Sequence, residues 1–181
     1  GYGAIYETAR ILDGFRTTLS TEPNLTFNPG RIIGGTTASN DSKSSTGQAF
    51  GKENVIAQIT QVSGDLRALS PQQAEKAQLA MHKIVSNSLN KTDATITFEA
   101  SYPPMAPSEG NYRLLGLFDQ ASQDLGFGPV KAVDPRRAGA ADISFTAGHV
   151  DMAIDGLGLL GHSGHTDGET ADMRTLPIQT K

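Results

Sequence analysis

The sequence predicts an α/β chain of the α+β kind. A helix–strand–strand–helix–strand layer over residues 1–101 is followed by a partial α/β layer over residues 102–181. Three observations predict it. Apolar residues recur at helical spacing in two segments of the first half and alternate with polar ones in three others. The run Tyr102-Pro103-Pro104-Met105-Ala106-Pro107 breaks the composition and marks a boundary. Beyond it, short strand and helix patterns alternate.

The first helix is expected from about Ala4 to Leu19, with Ile5, Ala9, Leu12, Phe15 and Leu19 on its apolar face. Leu25 and Phe27 alternate with polar neighbours as a strand that Pro29-Gly30 interrupts and Ile32-Ile33 resume, up to Gly34-Gly35. Residues Thr36–Gln48 are Ser, Thr, Asn, Asp and Gly in the main, which reads as a mobile polar loop. A second strand is expected from about Asn54 to Ala68. Val55, Ala57 and Ile59 share one parity and Val62, Gly64 and Leu66 the other, so a bulge is expected near Thr60.

Ser70-Pro71-Gln72-Gln73 is a helix start: Ser70 caps, Pro71 suits the first helical position and Gln73 completes a capping box. Ala74, Ala77, Met81, Ile84 and Val85 form the buried stripe. After Asn90-Lys91-Thr92, the residues Ala94, Ile96, Phe98 and Ala100 alternate with Thr95, Thr97 and Glu99 as a half-buried strand. With one strand added before Gly1 the order becomes βαββαβ, a ferredoxin-like sandwich lacking its first strand. The start at Gly1-Tyr2-Gly3, with no initiator Met, and the end in a helix just beginning at Leu176-Pro177-Ile178 read as the middle of a longer protein.

In the second half, Ser108 precedes a helix in which Leu114, Leu117, Phe118, Ala121 and Leu125 are expected to face the core, with Gly126 as the stop. Strands are expected at Val130–Val133 and Val150–Ile154, and a short helix at Ala140–Ala147.

Composition excludes several functions. With 181 residues, 37% hydrophobic and 19% charged, the chain suits one ordinary globular domain or two small ones. A net charge of −4 and 6% aromatics give neither a basic footprint nor a stacking platform for nucleic acid. No apolar run approaches the roughly 18 residues of a membrane span. The absence of cysteine excludes disulfides and thiolate-bound zinc and leaves the compartment open.

The clearest chemical signature is His165 in Gly164-His165-Thr166-Asp167-Gly168-Glu169, a glycine-rich loop after an expected strand. Imidazole is the commonest side-chain metal ligand, and loops at strand ends are where sites are built. Two readings stand, a metal ligand and an exposed loop histidine. Zinc needs about three or four protein ligands, and no full set is evident. His162 could share a site with His165 or be loop surface. His149 and His82 read as surface or structural residues. Asp142 reads as a carboxylate at a helix N-terminus, and Asp65 with Arg67 as a structural charge pair on one face of a strand. Asn54 is, by itself, a strand-edge amide. Gly156-Leu157-Gly158-Leu159-Leu160-Gly161 fits the G-x-G-x-x-G letters, but it leads into a loop and not a helix, so no dinucleotide site is expected. There is no Gly-x-Ser-x-Gly nucleophile elbow.

Four ordered stretches carry a resemblance: Gly51-Lys52-Glu53-Asn54-Val55-Ile56-Ala57 leading into Val62-Ser63-Gly64-Asp65-Leu66-Arg67; Pro107-Ser108-Glu109-Gly110-Asn111; Gly139-Ala140-Ala141-Asp142-Ile143-Ser144; and Leu157-Gly158 through His165-Thr166. Together they resemble the co-catalytic zinc exopeptidase family of glutamate carboxypeptidase, aminoacylase and succinyl-diaminopimelate desuccinylase. The resemblance implies a ferredoxin-like dimerisation, or lid, domain over 1–101 and the C-terminal part of the catalytic domain over 102–181. It implies a homodimer, two zinc ions in the intact enzyme, and a small peptide or N-acyl amino acid as substrate. His165 matches the last metal ligand, Asn54 a lid amide that contacts substrate, and Ala140 a position whose backbone approaches substrate. Tyr102 stands where relatives that bind a free carboxylate have an arginine, which counts against a C-terminal glutamate. The family's other metal ligands and its general base would lie upstream of Gly1, so this chain alone is expected to bind zinc poorly and to hydrolyse nothing. The alternative is a dimerisation module without activity.

Overall fold

The structure is a computed structural model that describes residues 1–99, 101–137 and 139–180. Ala100, expected at the end of a strand, and Lys181, expected in the last helix, lie outside the described residues. The chain divides into two compact units, Gly1–Ala106 with Val133–Gly139, and Pro107–Ala132 with Ala140–Lys181. Helices and small antiparallel ladders share the chain, the α+β class expected.

The first unit opens on α1 (Gly3–Leu19). Its buried side is rotated from the expected stripe. Ile5 is 53% exposed and Ala9 is exposed, while Ala4, Ile11, Leu12 and Phe15 are half-buried and Glu7 and Leu19 are buried. The rotation follows from contact with α2 (Pro71–Val85): a side chain on Gly14 would collide with Ile84. Arg10 Nη1 also donates to the Ile84 carbonyl at 3.0 Å. The α1 start has no side-chain cap, and Ala4 N–H instead donates to the Ala57 carbonyl at 2.9 Å.

Strands β1 (Thr26–Gly35) and β4 (Ile59–Arg67) form an antiparallel ladder. The phase slip expected near Thr60 is taken up on the opposite strand. Pro29 pairs with Gly64 and Arg31 with Ser63, so Gly30 is the extra residue and the ladder runs through the expected interruption. The expected second strand is also shorter than the pattern suggested, because 51–58 form an exposed turn and extended segment.

The expected mobile loop at Thr36–Gln48 is a hairpin of β2 (Thr37–Asp41) and β3 (Thr46–Phe50), paired only with each other. Its turn is built by Asp41, whose carboxylate accepts from Lys43 N–H at 2.9 Å and from the Ser44 hydroxyl at 2.7 Å. These bonds, the Ser44 hydroxyl first, hold the Asp41 carboxyl below the usual carboxylate range. Ser45 completes the turn in the left-handed region at φ 54°. Hydropathy misses such a hairpin because nearly all of its residues are exposed and few are apolar.

Helix α2 begins as expected. Ser70 Oγ accepts from Gln73 N–H at 3.2 Å, and Gln73 Oε1 reaches back to Leu69 N–H at 2.8 Å. Ser70→Ala is expected to cost about 1 kcal/mol, read as a shift in urea midpoint at unchanged m-value. Of the expected stripe, Ala77, Met81 and Val85 are buried and Ala74 and Ile84 half-buried. The core is small: Leu19, Leu25, Ala77 and Met81, flanked by Phe15, Phe27, Leu66, Ala68, Ala80, Ile96 and Phe98. Residues 93–99 show the expected alternation, with Ala94, Ile96 and Phe98 half-buried between exposed neighbours, but they form no ladder among the described residues.

In the second unit, α3 (Glu109–Asp124) is capped by Ser108 Oγ, which accepts from Asn111 N–H at 3.1 Å. It ends in a Schellman arrangement: Phe127 N–H donates to Ser122 O and Gly126 N–H to Gln123 O, with Gly126 at φ 78°. No α3 residue is buried. Leu114 and Phe118 are half-buried, whereas Leu117 is 63% exposed and Ala121 and Leu125 are exposed, against expectation. At 130–133 and 150–154, where strands were expected, the described residues form none, and one amide in each segment is bonded to an α3 side chain. Asp119 accepts from Val130 N–H at 2.7 Å and Asn111 from Ala153 N–H at 3.0 Å. The expected helix at 140–147 is a 3-10 turn, Asp142–Thr146. A two-residue hairpin follows, β5 (Gly161–His162) against β6 (Thr170–Ala171), then α4 (Leu176–Gln179).

Candidate functional site: the His165 loop

The β5–β6 hairpin carries His165 on a seven-residue loop, 163–169. Its root is fixed by Thr175, which is buried. The Thr175 hydroxyl donates to the Asp172 carbonyl at 2.7 Å and accepts from Leu160 N–H at 3.2 Å, while Asp172 N–H donates to the Leu160 carbonyl at 2.7 Å. Arg174 pairs with the Asp172 carboxylate at 2.7 Å and holds that carboxyl below its ordinary range. The tip is tied by short bonds. Thr166 Oγ1 donates to Ser163 O at 2.7 Å and accepts from Gly168 N–H at 3.2 Å. His165 N–H reaches Glu169 Oε2 at 3.3 Å.

Ser163 and His165 both sit in the left-handed region, at φ 57° and 66°. Such backbone is uncommon for residues other than glycine, though histidine is among the types enriched there. The loop thus holds an exposed imidazole on a conformation defined by its neighbours' hydrogen bonds.

Among the described residues no group of three or more metal-ligating side chains gathers, around His165 or elsewhere. Since zinc takes about three or four protein ligands, the described residues do not make a zinc site by themselves. Asn54 lies exposed in the turn before β4, where Val55 N–H closes onto the Lys52 carbonyl at 3.0 Å. Ala140 is exposed in extended chain two residues before the Asp142–Thr146 turn. Tyr102 is exposed at the end of the first unit. Asn54 belongs to the first unit, Ala140 and His165 to the second.

Glu7 was invisible to sequence reasoning. It is the one carboxylate among the buried residues described, 2% exposed. Arg10 clasps it with Nη2–Oε1 at 2.6 Å and Nε–Oε2 at 3.2 Å, and Leu89 N–H donates to Oε2 at 2.9 Å. The Arg10 bond is the main cause of a carboxyl pKa below the usual value. The only signal in the sequence is the i, i+3 spacing of opposite charges. Its role is to join α1 to the turn after α2.

No curated protein matches the chain. No solved structure matches it. A family model does: peptidase dimerisation domain, over residues 1–93. That span takes in α1, the β1–β4 ladder, the β2–β3 hairpin and α2, and it covers more than half of the sequence. Helices packed beside an antiparallel ladder in that span, with the family match over the same residues, establish that the chain belongs to the peptidase dimerisation domain family of M20 peptidases.

Proposed function

We propose that this chain is the pairing and C-terminal part of a zinc-dependent amidohydrolase or peptidase of the glutamate carboxypeptidase, aminoacylase and desuccinylase type. The family match over 1–93 is the observation that carries the reading. In it the first unit joins two protomers, and the outer edge of β1, which has no ladder partner among the described residues, is the element suited to extend across a two-fold axis. His165 supplies one zinc ligand in a set completed by other parts of the enzyme. Asn54, exposed in the turn before β4, is an amide suited to contact a small peptide or N-acyl amino acid. Zinc, when bound, supplies a Lewis acid and an activated water. Support for His165 is its exposed imidazole on a loop whose backbone is held by Glu169 and Thr166.

The experiment compares this chain with the enzyme that contains it. In that enzyme His165→Ala is expected to lower amide hydrolysis by more than about 100-fold, beyond what outer-shell partners of a metal cost, and to lower bound zinc by elemental analysis. Unchanged hydrolysis and zinc content would remove His165 from the site. The second reading, a dimerisation module without activity, rests on the same match and predicts a dimer by sedimentation velocity. A monomer at all concentrations would end it.

A further inference from the structure

An aspartate followed by glycine can close on itself. The glycine amide nitrogen attacks the side-chain Cγ, and no Cβ on the following residue crowds the approach. The chain has three such pairs, Asp13-Gly14, Asp155-Gly156 and Asp167-Gly168, and no Asn-Gly. One of the three is arranged for the reaction. Gly156 N–H donates to the carboxylate of the residue before it, Asp155 Oδ1, at 2.7 Å. The nitrogen thus lies against the carboxyl group, with Cγ one bond beyond the contacted oxygen, which is the approach that ring closure requires. Both residues are exposed. Gly156 has φ 79°, and even a Cβ built on it would meet nothing within 4 Å.

The other two pairs are held away from it. Asp13 and Gly14 lie within α1, where turning the nitrogen toward Cγ would break helical hydrogen bonds. Asp13 Oδ1 is also held by Arg16 Nη2 at 2.8 Å. Gly168 N–H is committed to Thr166 Oγ1 at 3.2 Å, within the tied tip of the His165 loop. Asp93 makes the same bond to its follower, Ala94 N–H at 2.9 Å, but that follower carries a Cβ and is half-buried. Around Asp155 the backbone is free to turn: among the described residues, 154–159 make no hydrogen bond besides the one from Gly156.

We propose that Asp155-Gly156 is a self-modification site that converts to isoaspartate. Gly156 N forms a bond to Asp155 Cγ and one Cγ–O bond breaks. The oxygen leaves as water, carrying the amide proton and a proton from solvent. Water, the sole co-reactant, then opens the cyclic imide. Attack at Cγ restores aspartate. Attack at the former main-chain carbonyl leaves the chain running through Cγ, with an added methylene in the backbone and a free α-carboxylate. The added methylene falls in a span pinned at both ends. Ala153 N–H is bonded to Asn111 at 3.0 Å, and Leu160 is bonded through its N–H to Thr175 at 3.2 Å and through its carbonyl to Asp172 N–H at 2.7 Å. The modification therefore slackens the approach to the root of the hairpin that carries His165.

The test ages the full chain at neutral pH, folded and in guanidinium chloride. Isoaspartate at each Asp-Gly pair is then quantified by peptide mapping with electron-transfer fragmentation, which localises the isomer by its backbone fragments. In denaturant the three pairs are expected to react at similar rates. In the folded chain Asp155 is expected to react at least about 10-fold faster than Asp167 or Asp13, because misplacing the reacting atoms alone costs that much. Equal rates at the three pairs in the folded chain, or Asp155 lagging Asp167, would overturn the site. Asp155→Glu keeps the charge but enlarges the ring to be closed, and it is expected to abolish the isomer at this position. An isomer persisting between residues 153 and 160 of that variant would overturn the assignment to Asp155. In the isomerised fraction the Leu160 amide is expected to exchange with solvent about 10-fold faster, and unchanged exchange there would overturn the slackened root.

Discussion

Glu7→Ala is expected to destabilise the first unit by about 3 kcal/mol, the loss typical of breaking one side of a buried ion pair. The substitution removes more than a contact. Arg10 is left with a half-buried guanidinium facing Ile84, and Leu89 N–H loses its acceptor. Glu7→Gln keeps volume and an acceptor for Leu89 and should cost less, about 1–2 kcal/mol. The pair also sets a pH dependence. The folded Glu7 carboxyl lies below its ordinary value of 4.5, chiefly through Arg10. Its contribution is therefore fully present above the unfolded pKa and is lost as pH falls through the folded one. Urea midpoints should fall as pH drops below 4.5, and this part of the fall should vanish in Glu7→Gln. Equal pH slopes in the two proteins would refute the assignment.

Met81→Ala is expected to cost about 3 kcal/mol. Met81 is buried at the centre of a cluster whose other buried members are Leu19, Leu25 and Ala77. So small a core has few side chains that can collapse into the space. Leu79, two residues earlier on the same helix, is 63% exposed, and Leu79→Ala should stay within about 0.5 kcal/mol. The pair of variants, read by thermal or urea denaturation, separates helix propensity from packing. Similar losses at both positions would mean that the helix is held by something other than the Met81 face.

What the sequence made legible were the features that act over a few residues. Ser70 and Ser108 cap where expected, Gly126 stops α3, Asp65 pairs with Arg67 at 2.7 Å, and α2 buries its expected stripe. The family resemblance also held at the level of the peptidase dimerisation domain. Illegible were features decided by what lies alongside. Apolar periodicity in α1 pointed to Ile5 and Ala9, but the neighbouring α2 favours the side holding Glu7 and Gly14. Alternation at 130–133 and 150–154 looked like strands, but those residues form no ladder, and Val130 and Ala153 give their amides to Asp119 and Asn111 instead. At His165 the sequence supplied the residue type and the glycines. It did not supply the left-handed backbone or the Glu169 tether, which depend on how a seven-residue loop closes.

The β2–β3 hairpin has a consequence for how this protein can vary. Its rungs pair Thr37 with Phe50, Ser39 with Gln48 and Asp41 with Thr46, and nearly every residue is in water. Volume, which limits replacement at Met81 or Ala77, limits it there at Gly47, where a side chain would collide with Ile33, and not at the exposed rungs. Substitutions at Thr37, Ser39 or Gln48 are filtered mainly by strand preference and cross-strand pairing, whereas Asp41 and Ser44 are filtered by turn closure. Divergence among descendants of this sequence should therefore accumulate along the ladder and stop at the turn.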